Sequence, residues 1–335
     1  MTLILLAAGL GTRYGGLKQL EPAGPNGELL MDYAIFDAHR AGFDRVIFII
    51  RRDFEAAFRS AISDKFANVL RVDHAYQSPH DLPSPYTCPP DREKPWGTNH
   101  ALLAARELIT DPCVVINADD FYGLESFVNH AKFFGMVDKH PISNTEYPTE
   151  KISSRGEAAS KLDIGNSVLD IGYSNSIPHF AMAGYRLSAT LSPHGTVARG
   201  VCKSSPDNQL LTIREHFKIR PTPDNTAEDI SDPANPIPFT GLEPVSLNNW
   251  AFTPAVVPLL QNYLSDWLSQ NHANPKAECY LPSAVDHLIA NRLATVSILP
   301  TSSPWFGITY KDDLPSVQQQ LLALHASGHY PSKLF

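Results

Sequence analysis

Positive charge is in short supply in this chain, cysteine is rarer still, and no apolar stretch is long enough to span a bilayer. Over 335 residues, 27 Lys and Arg face 35 Asp and Glu, a formal net charge of −8. That balance leaves no general basic footprint for nucleic acid or an anionic membrane, so any bound phosphate must be gripped locally. The four cysteines, Cys88, Cys113, Cys202 and Cys279, form no CxxC pair. Scattered in this way, with Cys113 and Cys202 inside apolar runs, they read as buried reduced thiols rather than as disulfides or a zinc site. The first apolar run, residues 2–8, has no basic flank and leads into glycines rather than a cleavage site. Together these features point to a soluble, cytoplasmic protein without internal repeats or coiled coil.

What is present is an alternation of short apolar runs and helical patterns. TLILLAA, RVIFII and CVVINA are continuous enough to be strands covered on both faces. Between them, MDYAIFDAHRAG and FEAAFRSAISDKFA space their apolar residues helically, and Gly42 stands where a C-terminal cap belongs. This order predicts a parallel sheet in a three-layer α/β sandwich. QSPHDLPSPYTCPPDREKPWG reads as an irregular excursion, bordering the site, between the strand RVDHAYQ and a helix beginning near Asn99. From about Phe180 the pattern turns to strands: FAMAGYRL, then GVCKSS and QLLTIREHF as a hairpin around Pro206, Asp207 and Asn208. An antiparallel, substrate-covering lobe is expected there. PTPDNTAEDISDPANPIPFTGLEP reads as a second proline-rich loop, partly disordered, before VSLNNWAF returns to strand character.

The opening stretch, MTLILLAAGLGTRYGGLKQL, carries the first chemical signal. A buried strand that ends in glycines presents backbone N–H groups at the carboxyl edge of a sheet, where missing side chains let a polyphosphate approach. The GxxxxGK[ST] loop is not met. The dinucleotide pattern GxGxxG is not met either, because Tyr14 takes its third glycine position and RVIFII ends in Arg51 rather than an acid. Arg13 and Lys18 add two cations to the same segment. Asp119 and Asp120 close another apolar strand, which should aim one carboxylate into the crevice at the sheet's carboxyl edge. Magnesium is the hard cation that such oxygens and phosphates share. The alternative for Asp119 is a capping role on a helix starting near Leu124.

LAAGLGTRYGGLKQ, residues 6–19, resembles the sugar nucleotidyltransferase family, the nucleotide-sugar pyrophosphorylases. MDYAIFDAHRAGF is similar to the family's first helix, AYQ with KPWGTNHALL to its base-binding segment, and INADDFYG to its metal-binding strand end. The resemblance implies a three-layer Rossmann-like nucleotide-diphospho-sugar transferase fold. Its central sheet would be mixed and mostly parallel, with an antiparallel substrate-covering lobe. One domain would span 1–335, with a nucleotide-binding half at 1–135, a sugar-binding half at 175–310, and a C-terminal helix and tail at 311–335.

The reaction so implied is attack by a sugar 1-phosphate oxygen on the α-phosphorus of a nucleoside triphosphate, expelling pyrophosphate, a transfer that needs charge neutralisation and alignment. By the same resemblance Arg13 offers a planar fork to the β and γ phosphates while Lys18 follows the α-phosphate. Ala8, Gly9, Gly11 and Thr12 would hold the nucleotide, and Gln77, Gly97 and Thr98 would read its base, favouring UTP or dTTP. Gly200, Glu215 and Asn249 would hold the sugar. Asp119 would bind Mg2+, with Asp120 as a helix cap or a support to it; His100 reads as a helix N-terminal residue rather than a catalytic base.

Two positions depart from the family. His216 stands where a lysine is expected next to Glu215, leaving Lys218 or Arg199 to substitute. WFGITYKDDLPSV is similar to the family's WxDxGTPEDL, but Gly307 stands where its second metal-binding aspartate belongs, with Asn248 or Asn249 as other sources of an oxygen. Partners would be a nucleoside triphosphate and a sugar 1-phosphate, with no nucleic acid and no membrane, and a homo-oligomer is compatible with this reading. A nucleotide-binding sensor of the same fold, or a transferase acting on a non-sugar phosphate, are its alternatives.

Overall fold

Strands form where the apolar runs are unbroken. In the computed structural model, which describes residues 1–8, 22–136, 177–224, 226–308 and 310–335, β1 (Thr2–Leu6), β2 (Arg45–Ile50), β3 (Arg71–Tyr76) and β4 (Cys113–Asn117) lie parallel in the order β3, β2, β1, β4. Because side chains alternate along a strand, these runs feed two cores. Leu3, Leu5, Val46, Phe48, Val114 and Ile116 enter one, while Ile4, Ile47, Ile49 and Val115 enter the other. Helix α1 (Leu30–Arg40) and α4 (Leu124–Phe133) cover the first core; α3 (Thr98–Leu103), α5 (Val256–Asn271) and α6 (Leu281–Ala290) cover the second. The result is the expected three-layer sandwich, and continuous hydrophobicity in its strands is the consequence of burial on both faces.

Beyond β4 the sheet becomes mixed. β12 (Trp250–Phe252) runs antiparallel to β4 and to β6 (His179–Arg186), and β13 (Thr295–Pro300) pairs parallel with β6. From β6 an antiparallel arm continues through β11 (Pro244–Ser246), β7 (Val197–Ser204) and β8 (Leu210–Pro221). The β7–β8 hairpin turns at the predicted residues, with Asn208 in the left-handed region (φ +59°) that asparagine tolerates.

Two expectations are corrected. The proline-rich stretch 221–244 carries two short strands, β9 (Ala227–Asp229) and β10 (Ile237–Phe239), which extend the arm. Pairs across β8 and β9 hold it: His216 Nδ1 to Asp229 Oδ2 at 2.8 Å and Arg220 to Glu228 at 2.7 Å. The helical spacing of 54–67 yields only α2 (Glu55–Ala61). Ile62 leaves helical geometry and Ser63–Phe66 forms a 3-10 turn, which lets Phe58, Ile62 and Phe66 all reach the first core. At the opposite end of the chain, β5 (Asp120–Phe121) pairs antiparallel with β14 (Phe306–Gly307), and α7 (Leu314–Ala326) seals a third, smaller core with Tyr33 and Phe121. All four cysteines are free, three of them buried. Among the described residues no helix is long and apolar enough to cross a membrane.

The excursion at 78–96 forms neither helix nor strand, as expected, yet it is firmly anchored. Trp96 is fully buried, with its indole N–H donating to the Pro79 carbonyl at 2.8 Å. The guanidinium of buried Arg92 lies 3.4 Å from the Trp96 ring centroid and donates to four carbonyls: Lys94 and Pro95 in its own loop, Asn274 and Ala277 beyond α5. One planar cation therefore supplies the hydrogen bonds that an irregular loop cannot make with itself. Arg92→Ala is expected to cost about 3 kcal/mol, because buried carbonyls lose a charged donor. Arg92→Lys should recover little of it, since an ammonium cannot reproduce the fork; urea unfolding midpoints of the three proteins check this.

Candidate active site

The carboxyl end of β4 meets the antiparallel arm at a cavity of about 230 Å³. Three predicted residues, Asp119, Gly200 and Glu215, line it, joined by Asn117, Asp120, Arg199 and Trp305. Gly200 and Glu215 face each other in the β7–β8 ladder. A Cβ at Gly200 would stand 3.0 Å from Glu215 Oε1 and 3.1 Å from Ile213 Cγ2, so the glycine leaves room for the carboxylate to lie across its backbone. Enclosure raises the Glu215 pKa, and the neighbouring Arg199 charge opposes that rise.

Asp120 is wired more tightly than a capping residue. Its Oδ2 accepts from Asn117 Nδ2 at 2.9 Å and lies 3.2 Å from the Tyr122 hydroxyl, while Asn117 Oδ1 accepts from Asn248 Nδ2 at 3.2 Å. Enclosure and then the Asp119 charge raise the Asp120 pKa; Asn117, Arg199 and Tyr122 pull it down. The N-cap of α4 is Gly123, so neither aspartate serves as that cap.

Gly307 stands opposite Asp120 in the short β5–β14 ladder. A Cβ built there would fall 2.4 Å from Asp120 Oδ1 and 3.3 Å from Trp305 Cζ2. The space of a side chain at 307 is thus already filled by the Asp120 carboxyl. This is the physical reason that Gly307 accompanies an aspartate pair at 119 and 120.

Among the described residues, Arg199 is the cation that lines the cavity. It is 8% exposed, lies 4.6 Å from the Trp305 ring centroid, and donates to Thr190 Oγ1 at 3.1 Å, to the Ala198 carbonyl at 2.8 Å and to the Thr190 carbonyl. Burial lowers its pKa to about 10 against the charges of Asp120 and Glu215, so it remains protonated at neutral pH. His216, across the ladder from Arg199, is turned to Asp229 and lies edge-on to Phe239. Lys218 is exposed and does not line the cavity. Of the two substitutes considered for the missing lysine, only Arg199 lines it. Its ladder position across from residue 216 was not visible before the strands were paired.

The other predicted residues lie elsewhere. Asn249 does not line the cavity: it is 1% exposed, and its Oδ1 accepts from His130 Nε2 at 2.8 Å beneath the sheet, whereas the adjacent Asn248 faces the cavity. The two lie in the bend between β11 and β12, where Asn248 takes φ +55°, and this left-handed turn separates the neighbouring side chains. Ala8 follows β1 with its methyl in the second core. Gly9, Gly11, Thr12, Arg13 and Lys18 lie outside the described residues.

Gln77 follows the carboxyl end of β3, its amide N–H bonded to the Ile50 carbonyl. Gly97 adopts φ +96°, and a Cβ there would lie 2.6 Å from the Cys279 carbonyl oxygen. Two backbone bonds, Cys279 N–H to the Trp96 carbonyl and Asn99 N–H to the Cys279 carbonyl, impose that approach. The approach of segment 279 therefore requires a glycine here. Thr98 Oγ1 accepts from the Leu281 amide at 2.8 Å, which ties α3 to the start of α6.

These features define a mixed, mostly parallel α/β sandwich with an antiparallel arm over its carboxyl edge, the sugar nucleotidyltransferase fold. Two solved structures share it across nearly their whole length: a UDP-glucose pyrophosphorylase solved with UDP-glucose, and a Bacillus anthracis protein assigned as a glucose-1-phosphate thymidylyltransferase, solved with sucrose. The first has a TM-score of 0.50 at 13% identity, covering 96% of this chain and 98% of its own. The second has a TM-score of 0.55 at 11% identity, covering 96% and 95%. At such identities the likeness defines the fold. No protein-family model and no curated protein matches the sequence.

Two outcomes follow from the packing around the cavity. Gly307→Ala should destabilise the protein by about 1–3 kcal/mol through overpacking, and Asp120→Ala should relieve most of that cost. Additive losses in a double-mutant cycle would refute the contact. Burial holds His130, the partner of Asn249, down to about 4 from an ordinary 6.5. The unfolded chain therefore takes up a proton that the folded chain refuses, and stability declines as pH falls from about 6.5 toward 4. In His130→Gln, unfolding free energies measured by urea at pH 7 and pH 4.5 should differ less than in the wild type.

Proposed function

We propose that the protein is a sugar-1-phosphate nucleotidyltransferase that joins a nucleoside triphosphate, UTP or dTTP, to a sugar 1-phosphate. The observation that carries this reading is the cavity at the carboxyl edge, where two adjacent aspartates, one buried guanidinium and the Gly200–Glu215 cradle converge on a sugar nucleotidyltransferase fold. A structural neighbour solved with UDP-glucose supports a nucleotide-sugar product.

In the reaction, a phosphate oxygen of the sugar 1-phosphate forms a bond to the α-phosphorus while the bond to the β-phosphate oxygen breaks, and pyrophosphate carries the electrons away. Arg13 and Lys18, in the glycine-rich segment that follows β1 in the sequence, neutralise the triphosphate. Glu215 accepts hydrogen bonds from sugar hydroxyls beside Gly200, and Arg199 faces the anionic end of the sugar phosphate.

The donors around Asp119 and Asp120 are oxygens, the chemistry that magnesium takes. Among the described residues no group of three metal-binding side chains is assembled. Asp119 would therefore hold the ion together with substrate phosphates and water, and the ion would offset charge on the phosphates. Gly307, which brings no further carboxylate, favours one rival: a protein that binds nucleotide sugars without turning over.

The test is pyrophosphate release from UTP, dTTP, CTP, ATP and GTP across a panel of sugar 1-phosphates, with and without magnesium. Turnover with UTP or dTTP is expected, and Asp119→Ala and Arg13→Ala should each lower kcat by about a hundredfold or more. Glu215→Gln should raise KM for the sugar phosphate by about tenfold, equivalent to one lost hydrogen bond to a charged group. Saturable binding of a nucleotide sugar with no turnover on any substrate would favour the rival.

A further inference from the structure

Gln77, at the carboxyl end of β3, is 7% exposed, and both hydrogens of its side-chain amide are already committed. Nε2 lies 3.2 Å from the Gly97 carbonyl oxygen, which can only accept, so the NH2 end of the amide must point there. The same Nε2 lies 3.2 Å from His100 Nδ1. His100 has one tautomer to offer. Its Nε2 is 2.8 Å from the Asp81 carbonyl oxygen, another pure acceptor, so Nε2 carries the proton and Nδ1 is bare. The carbonyl of Asp81 thus sets the tautomer of His100, and that tautomer acts with the Gly97 carbonyl to hold the Gln77 amide in one orientation. Arg106 holds Asp81 in turn, donating to its carboxylate at 2.8 Å.

What remains of Gln77 is one group, the carbonyl oxygen. Among the described residues Oε1 has no hydrogen-bond partner, and it is not one of the sealed, unpartnered atoms of the interior, so it is open to a ligand. A residue that could have offered a donor and an acceptor together offers an acceptor alone.

We propose that His100 is a positioning residue that locks Gln77 with its carbonyl oxygen outward, so that the nucleobase accepted there carries a ring N–H, as uracil and thymine do at N3 and cytosine does not. This deepens the nucleotidyltransferase reading and rests on it, because Gln77 must meet the base. Cytosine brings a lone pair to the ring position where uracil brings a proton, and a lone pair facing a fixed carbonyl is repelled. A site built to receive an N–H discriminates strongly against an analogue without it, because its own polar group is left unpaired. His100 acts at one remove: it touches Gln77, not the base.

Isothermal titration of UTP, dTTP and CTP into the wild type, His100→Phe, His100→Gln, Gln77→Ala and the double variant His100→Phe/Gln77→Ala tests this. The wild type should bind UTP and dTTP at least about tenfold more tightly than CTP. His100→Phe, which removes one of the two acceptors facing Nε2 and leaves the Gly97 carbonyl alone to hold the amide, should lower that ratio. His100→Gln, whose carbonyl can take the second amide hydrogen, should restore part of it. In the double variant the ratio should match that of Gln77→Ala, since without the amide there is nothing left to orient. A ratio near one in the wild type, or a wild-type ratio in His100→Phe, overturns the inference while leaving the transferase reading in place. Absence of binding by every nucleotide, with the wild type folded, overturns both.

Discussion

Parallel pairing on both sides of β1 is the constraint from which the rest of the molecule follows. The same five residues, Thr2–Leu6, hydrogen-bond to β2 along one edge and to β4 along the other. Parallel strands end at one edge of the sheet. Gln77 after β3 and the aspartates after β4 therefore both emerge at that edge, and the aspartates line the crevice there. The two cores that cover these strands leave that edge as the place where polar side chains gather.

The antiparallel arm completes the crevice by a different means. β7 and β8 face each other residue for residue, and that register sets Gly200 against Glu215 and Arg199 against His216. One residue of slip in β8 would turn Glu215 and His216 each to the face it now avoids. Register therefore decides which cation enters the cavity: Arg199 turns in over Trp305 while His216 is held by Asp229. A similar substitution of one position for another occurs at Asp120, whose carboxyl occupies the space into which a side chain at 307 would grow. In both cases a group absent from its expected position has a charged neighbour from an adjacent strand close to the vacated space.

Buried polar groups recur in the irregular parts of the chain, and two sets of them are anchored by carbonyls. Arg92 holds an irregular loop through four carbonyls. Gln77, His100 and the Asp81 carbonyl form a chain in which each donor and acceptor is dictated by the next. Such networks stiffen the parts of a site that have no regular secondary structure, because a donor without its acceptor is costly in a low dielectric.

Much of this protein was legible from its residues. Apolar continuity in RVIFII and CVVINA, helical spacing in MDYAIFDAHRAG and the turn residues at 206–208 lead to the three-layer sandwich and its hairpin, because burial and local turn geometry are written in side-chain type and spacing. Asp119 could likewise be picked out, since it follows an apolar strand whose end a parallel sheet brings to one edge, whereas Gly200 and Glu215 were reached through resemblance to the sugar nucleotidyltransferases. Tertiary structure alone decided the rest. Asn248 and Asn249 are chemically identical neighbours, and only the left-handed bend at Asn248 before β12 sends one to the cavity and the other to His130. Gly97 is a glycine because residue 279, far along the chain, packs against it. The strands in 221–244 exist because β8 offers them a partner edge. Local sequence carries propensity and period. Which distant backbone arrives beside a residue, and in which register, is settled only when the sheet is assembled.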